Sequence, residues 1–220
     1  SNIGTKGETM EELFNMLFRW GHILVGITWI GLLYYFNFVQ TEYFKEAEES
    51  ARKDAVSKLV PRALWWFRWA ALFTFLTGLV LLYFITLRVN LDIILGATMG
   101  TLMMLNVWGI IWPNQKIVIG LKEGDAGVAG PKAGLASRTN TLLSVPMLYF
   151  MVSSAHYPHG GYLFAGDISS KAFIVGVVVI LAIEANAIWG KMFTVITSVR
   201  DVIISSFVLT IVLSGLTYYL

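Results

Sequence analysis

Arg19-Trp20-Gly21-His22-Ile23-Leu24-Val25-Gly26-Ile27-Thr28-Trp29-Ile30-Gly31 lies inside an apolar run over Leu13–Val39. A helix rises about 1.5 Å per residue, so a run of this length crosses the ~30 Å of a bilayer's hydrocarbon. Apolar segments also fall at Ala63–Leu87, Leu91–Trp112, Thr139–Ala155, Ala172–Phe193 and Val202–Leu220. Thr139–Ala155 is the shortest of them and contains Pro146. The pattern predicts an all-α fold, a polytopic transmembrane helix bundle of about six spans.

Composition supports this reading. Hydrophobic residues make up 56% of the 220 and charged residues 14%, where a soluble domain carries about 25% charged residues. Mean hydropathy is +0.68. Residues 1–12 are polar and lack the basic-then-apolar layout of a signal peptide, so they read as an extramembrane tail. Residues 13–220 then form a single transmembrane helical domain. The chain has no cysteine, which excludes disulfides, thiolate-held iron–sulfur clusters and a CxxCH haem attachment within it. A net charge of +2 points to no nucleic-acid partner.

The connections carry their own signals. Thr41–Lys53 is charged and offers i,i+4 pairs, Glu48 with Arg52 and Glu49 with Lys53, which predicts a surface helix. Gly120–Ser137 holds five glycines and Pro131 and reads as a loop. With six spans, one side collects Lys45, Arg52, Lys53, Lys58, Arg62, Lys116, Lys122, Lys132, Arg138, Lys191 and Arg200. The other has Lys6, Arg88 and Lys171, with Arg19 just inside. The positive-inside rule puts the first side in the cytoplasm and both termini on the outer, periplasmic side.

Few side chains in the spans can carry chemistry. His22 is ionisable within hydrocarbon, and such residues are functional candidates by default. The Thr139–Ala155 span runs outward and ends at His156, so His22 and His156 share the outer half of the membrane, within about 8 Å in depth. Two imidazoles on facing helices can ligate a b-type haem iron. Gly26 and Gly78 would let a flat macrocycle approach the helix backbones, with Thr28 and Trp29 beside it. A single histidine that bonds a neighbouring helix is the structural alternative, and His159 reads as a loop residue. Glu184 is the one carboxylate expected deep in a span. It is a candidate proton-relay or substrate-binding group, or else an ion-pair partner of Arg68 or Lys191. Asn106 and Asn186 are candidates for a polar core. The run Trp65-Trp66-Phe67-Arg68-Trp69 reads as an interfacial aromatic belt.

Four strings together resemble a known family. They are Arg19–Gly31 as quoted above, Asn106-Val107-Trp108-Gly109-Ile110-Ile111-Trp112-Pro113-Asn114-Gln115-Lys116, Ser137-Arg138-Thr139-Asn140-Thr141-Leu142-Leu143-Ser144-Val145-Pro146-Met147 and Ala155-His156-Tyr157-Pro158. They are similar to the membrane domain of bacterial membrane-bound urate oxidases, from about residue 13 onward. More distantly, the first-span motif resembles haem- or porphyrin-handling and copper-resistance membrane proteins. In the urate oxidase family a helical membrane domain precedes a cytochrome c domain that receives the electrons. The resemblance implies an inner-membrane redox protein. His22 and His156 would be axial ligands of haem, and Gly26 and Trp29 would lie at the cofactor. Glu184 and Arg68 would handle protons or an anionic substrate. The sequence ends at Leu220 with no cytochrome c motif, so the expected acceptor is a separate cytochrome c or a larger membrane complex. The competing readings are a non-catalytic accessory subunit of a respiratory or photosynthetic complex and, more weakly, a metal or solute transporter.

Overall fold

The computed structural model describes residues 2–220, with side chains from residue 7 onward. The described residues are mostly helical and form no strand. Helix α1 (Asn2–Tyr34) continues through a π-helical turn, Tyr35–Gln40, into α2 (Thr41–Glu46). Helices α3 (Glu49–Lys58) and α4 (Val60–Phe84) follow. Helix α5 (Leu91–Asn106) passes through a second π-helical turn, Val107–Ile111, into α6 (Trp112–Val118). Helices α7 (Ala126–His156), α8 (Ser170–Trp189) and α9 (Val199–Tyr219) complete the bundle.

Among the described residues, five helical stretches are long and apolar enough to cross a membrane: Gly7–Glu46, Val60–Phe84, Leu91–Val118, Ser170–Trp189 and Val199–Tyr219. Their outer faces expose Trp20, Ile27, Leu79, Ile174 and Ile211, as lipid-facing surfaces do. The remaining predicted span, Thr139–Ala155, belongs to α7, which is different in kind. Helix α7 packs against α1, α5, α6, α8 and α9. It buries Arg138, Thr139, Asn140, Thr141, Ser144 and Ser153. A helix this polar is costly against lipid, and here its neighbours surround it.

Two local solutions make α7 possible. Pro146 has no N–H for the Leu142 carbonyl, and a polar group orphaned in an apolar interior is expensive. The Ser206 hydroxyl of α9 supplies the missing donor, at 2.7 Å from Leu142 O. Close approach of α5 depends on Gly96, where a Cβ would lie 3.2 Å from both the Met151 nitrogen and the Phe150 Cβ. Pro113 explains the second π-helical turn. Its ring would crowd the Gly109 carbonyl four residues back, and the wider turn over Val107–Ile111 relieves that clash.

Two expectations for the connections need correction. The segment predicted as a loop over Gly120–Ser137 is helical from Ala126, with Asp125 as N-cap accepting from the Gly127 N–H at 2.8 Å. The glycines are tolerated because Ala129 and Ala133 are buried on the same helix, which packs on α6. The surface helix predicted over Thr41–Lys53 is two helices, broken where Ala47 turns extended. Glu48 stands at the N-cap position of α3 with extended backbone and makes no ion pair with Arg52, whereas Glu49 and Lys53 meet at 2.5 Å. Arg52 instead lies over the Phe44 ring.

The helix ends sort into two groups. The Ser169 hydroxyl donates to Leu220 O at 2.7 Å and the Leu163 N–H to Val89 O at 2.8 Å. The starts of α5 and α8 and the ends of α7 and α9 therefore share one end of the bundle. Ser206→Ala should lower stability by about 1–3 kcal/mol by orphaning the Leu142 carbonyl. Adding Pro146→Ala, which restores an internal donor, should recover part of that loss. Unfolding of both variants in detergent, followed by circular dichroism, checks the pair.

Candidate functional site

The end of the bundle opposite Leu220 holds a cavity of about 340 Å³. Both π-helical turns border it, through Phe36, Asn37 and Gln40 from the first and Ile111 from the second. A π-helical turn points side chains in directions that a regular helix does not, and such turns often sit at functional sites. The turn in α1 is held by side chains: Asn37 Nδ2 donates to Leu33 O at 2.9 Å and Thr41 Oγ1 to Phe36 O at 2.6 Å. Asn37 also donates to Ser137 Oγ of α7 at 2.8 Å, which fixes this wall to the central helix.

Arg138 reaches this cavity from α7 and is only 5% exposed. Its Nη1 is buried and has no hydrogen-bond partner, and the guanidinium makes no ion pair among the described residues. Gln40 Oε1, a buried acceptor on a residue that also lines the cavity, is likewise unpartnered. A buried charge left unpaired costs several kcal/mol. The cavity thus combines an unanswered cation and an unanswered acceptor with apolar walls from Leu64, Phe67 and Ile111.

Asn140 follows Arg138 by two residues, roughly 3 Å of rise along α7. There the sequence-predicted carboxylate appears. Asn106 Nδ2 of α5 lies 3.0 Å from Glu184 Oε2 of α8 and 2.9 Å from Asn140 Oδ1. Asn140 Nδ2 in turn donates to Met103 O at 3.0 Å. All three side chains are buried. The expected cationic partners are absent from this node. The Arg68 guanidinium lies over the Trp112 ring at 3.9 Å, and the Arg68 carbonyl accepts from Trp108 Nε1 at 3.0 Å. Lys191 is exposed, near the Phe193 ring. Asn186 stays out of the polar core, its side chain donating to Lys191 O at 3.1 Å to close the end of α8. A buried carboxylate with a neutral amide donor and no counter-cation is suited to exchanging a proton.

His22 is held by α4. Its Nδ1 lies 2.9 Å from Thr77 Oγ1, and that hydroxyl donates to Phe73 O at 2.7 Å. With its proton committed to Phe73, Thr77 accepts from Nδ1–H, which leaves the lone pair of the imidazole on Nε2. Gly78 makes room for the ring itself, since a Cβ there would lie 3.2 Å from His22 Cε1. Gly26 also faces α4, near the Thr74 methyl, and Trp29 is buried with its indole N–H unpartnered. His156 is exposed at the end of α7, and no hydrogen bond or ring contact joins it to His22 among the described residues. His159 lies in the loop after α7, as expected, and is anchored there. It lies between the Tyr157 and Tyr218 rings, with Nε2 3.4 Å from Thr217 Oγ1.

Sequence reading counted Arg138 only as a loop charge and passed over Asp92, which is fully buried and accepts from Ser153 Oγ at 2.6 Å. The available signal was the density of polar residues in Ser137–Ser144, too high for a lipid-facing helix. Asn106→Leu should orphan Glu184 and Asn140 together and cost about 1–3 kcal/mol. Asn106→Asp should instead place two acids side by side, with stability recovering as pH falls. Detergent unfolding across pH distinguishes the two variants.

A family model described as urate oxidase N-terminal matches residues 88–216, more than half of the chain. The strings at Asn106–Lys116, Ser137–Met147 and Ala155–Pro158 lie inside that match, and Arg19–Gly31 lies before it. No curated protein and no solved structure matches the chain.

Proposed function

From the premise that this chain belongs to the urate oxidase N-terminal family, we propose that it is a multi-pass membrane redox protein that takes electrons from urate. The observation that supports this most is Glu184, buried in the bundle with an amide donor and no counter-cation. Oxidation of an N–H-bearing purine anion removes two electrons and releases protons. Glu184 takes one such proton, and the electrons pass to a cytochrome c or a larger membrane complex. Arg68, stacked on Trp112, keeps a positive charge on the same side of the bundle. The basic loops face the cytoplasm of a bacterial inner membrane and both termini face outward.

A b-type haem fits one half of the expected ligand set. The hydrogen bond to Thr77 orients the His22 imidazole and leaves Nε2 as the ligating nitrogen, the usual outer-shell arrangement for a metal-bound histidine. Held by His22, a haem would accept and release electrons one at a time. His156 does not complete the pair in this packing, so no ligand role is assigned to it.

The direct test is a reduced-minus-oxidised absorption spectrum of the purified chain. A b-type signal is expected, lost in His22→Ala with the protein still folded. Thr77→Val should weaken haem retention about 10–100-fold. A flat spectrum from protein isolated with its native partners would remove the haem and favour an accessory subunit. With urate as donor, Glu184→Gln should slow turnover by about 10²-fold or more while urate still binds. Steady-state rates with an artificial acceptor measure this, and an unchanged rate would exclude Glu184 as the proton acceptor.

A further inference from the structure

We propose that the cavity between the two π-helical turns binds a compact, planar, N–H-bearing organic monoanion, with Arg138 taking its charge and Gln40 its N–H. This deepens the function proposed above and rests on it only for the choice of urate as a probe.

Three independent observations meet at this place. The first is charge. Arg138 is about nineteen-twentieths buried as a residue, lines the cavity, and has a buried Nη1 donor that no protein atom answers. The carboxylate that acts on it electrostatically, Glu42, is already paired with Lys45 at 2.7 Å. An anionic ligand would therefore neutralise Arg138 without breaking an existing ion pair. The second is polarity of the opposite kind. Gln40 Oε1 is a buried acceptor without a donor, which an anion with no N–H or O–H, such as acetate, cannot satisfy. A ligand that carries both an anionic edge and an N–H answers both groups. The third is shape. The cavity of about 340 Å³ falls in the range of roughly 300–1,000 Å³ typical of small-molecule sites. Its apolar walls, Phe67 and Ile111 among them, suit the faces of a flat ring.

Lys45 stands at the cavity's edge, exposed and paired with Glu42.

The test is binding to the full chain in detergent micelles, read by calorimetry and by the shift in unfolding temperature. The probes are urate, acetate and inorganic phosphate. Saturable urate binding is expected, weakened about 10-fold or more in Arg138→Gln and partly retained in Arg138→Lys. Gln40→Leu should weaken urate and leave acetate unchanged. If Arg138→Gln fails to fold, Arg138→Lys and Gln40→Leu still decide the matter. Urate that binds equally well to wild type and Arg138→Gln would overturn the proposal, as would failure of every probe. Phosphate that competes as strongly as urate would make this a phosphate or lipid-headgroup site and overturn the organic-anion assignment. A chain that binds urate through Arg138 but never oxidises it would refute the redox function and leave the site standing. Oxidation indifferent to Arg138 would do the reverse.

Discussion

The structure depends on keeping one polar helix out of lipid. Helix α7 carries a guanidinium, an amide and several hydroxyls on a single rod, and in hydrocarbon each needs a partner. The neighbours supply them one by one. Tyr34 Oη of α1 meets Ser144 Oγ at 2.8 Å, and Asn37 reaches Ser137. From α5, Asn106 meets Asn140, and Asp92 accepts from Ser153 near the other end. Helix α9 contributes Ser206, which bonds the carbonyls of Thr141 and Leu142. Helix α8 joins through Glu184. These hydrogen bonds choose the neighbours and set their register, where apolar packing alone would discriminate weakly between helices in lipid.

The same network shows where it is incomplete. Arg138 Nη1, Gln40 Oε1, Thr139 Oγ1 and Asp92 Oδ1 are buried without partners, in a bundle that satisfies most of its other polar side chains. Arg138 and Gln40 converge on one cavity, and that cavity lies where two helices depart from regular geometry. Natural proteins tend to keep unsatisfied polar groups and distorted backbone at sites of function. The convergence, rather than any one group, separates this place from the rest of the interior.

His22 and Glu184 belong to different structural contexts. His22 sits between α1 and α4, a pair whose outer faces meet lipid, and its orientation depends on one hydroxyl of α4. Glu184 sits at the junction of α5, α7 and α8, where neither lipid nor a counter-charge reaches it. The proposed redox function needs both kinds of place: one where an electron carrier can be held near the bundle surface, and one where a proton can be held in its interior.

By itself the sequence determined the helical class, the bilayer environment and the singularity of His22 and Glu184. Those properties follow from composition, from the length of apolar runs and from the cost of charge in hydrocarbon, none of which requires a partner helix. It also carried the family, through strings that span α5–α7. Only tertiary structure decided which polar residues meet. Arg68 and Lys191 were plausible partners for Glu184 by depth, yet rotation of each helix about its axis gave that role to Asn106. Arg138 looked like a loop charge because the glycines before it suggested a turn. Packing against α6 made the segment helical and turned the guanidinium inward. Depth can be counted along one chain, whereas facing depends on how several helices are rotated against each other, and that is fixed only when they pack.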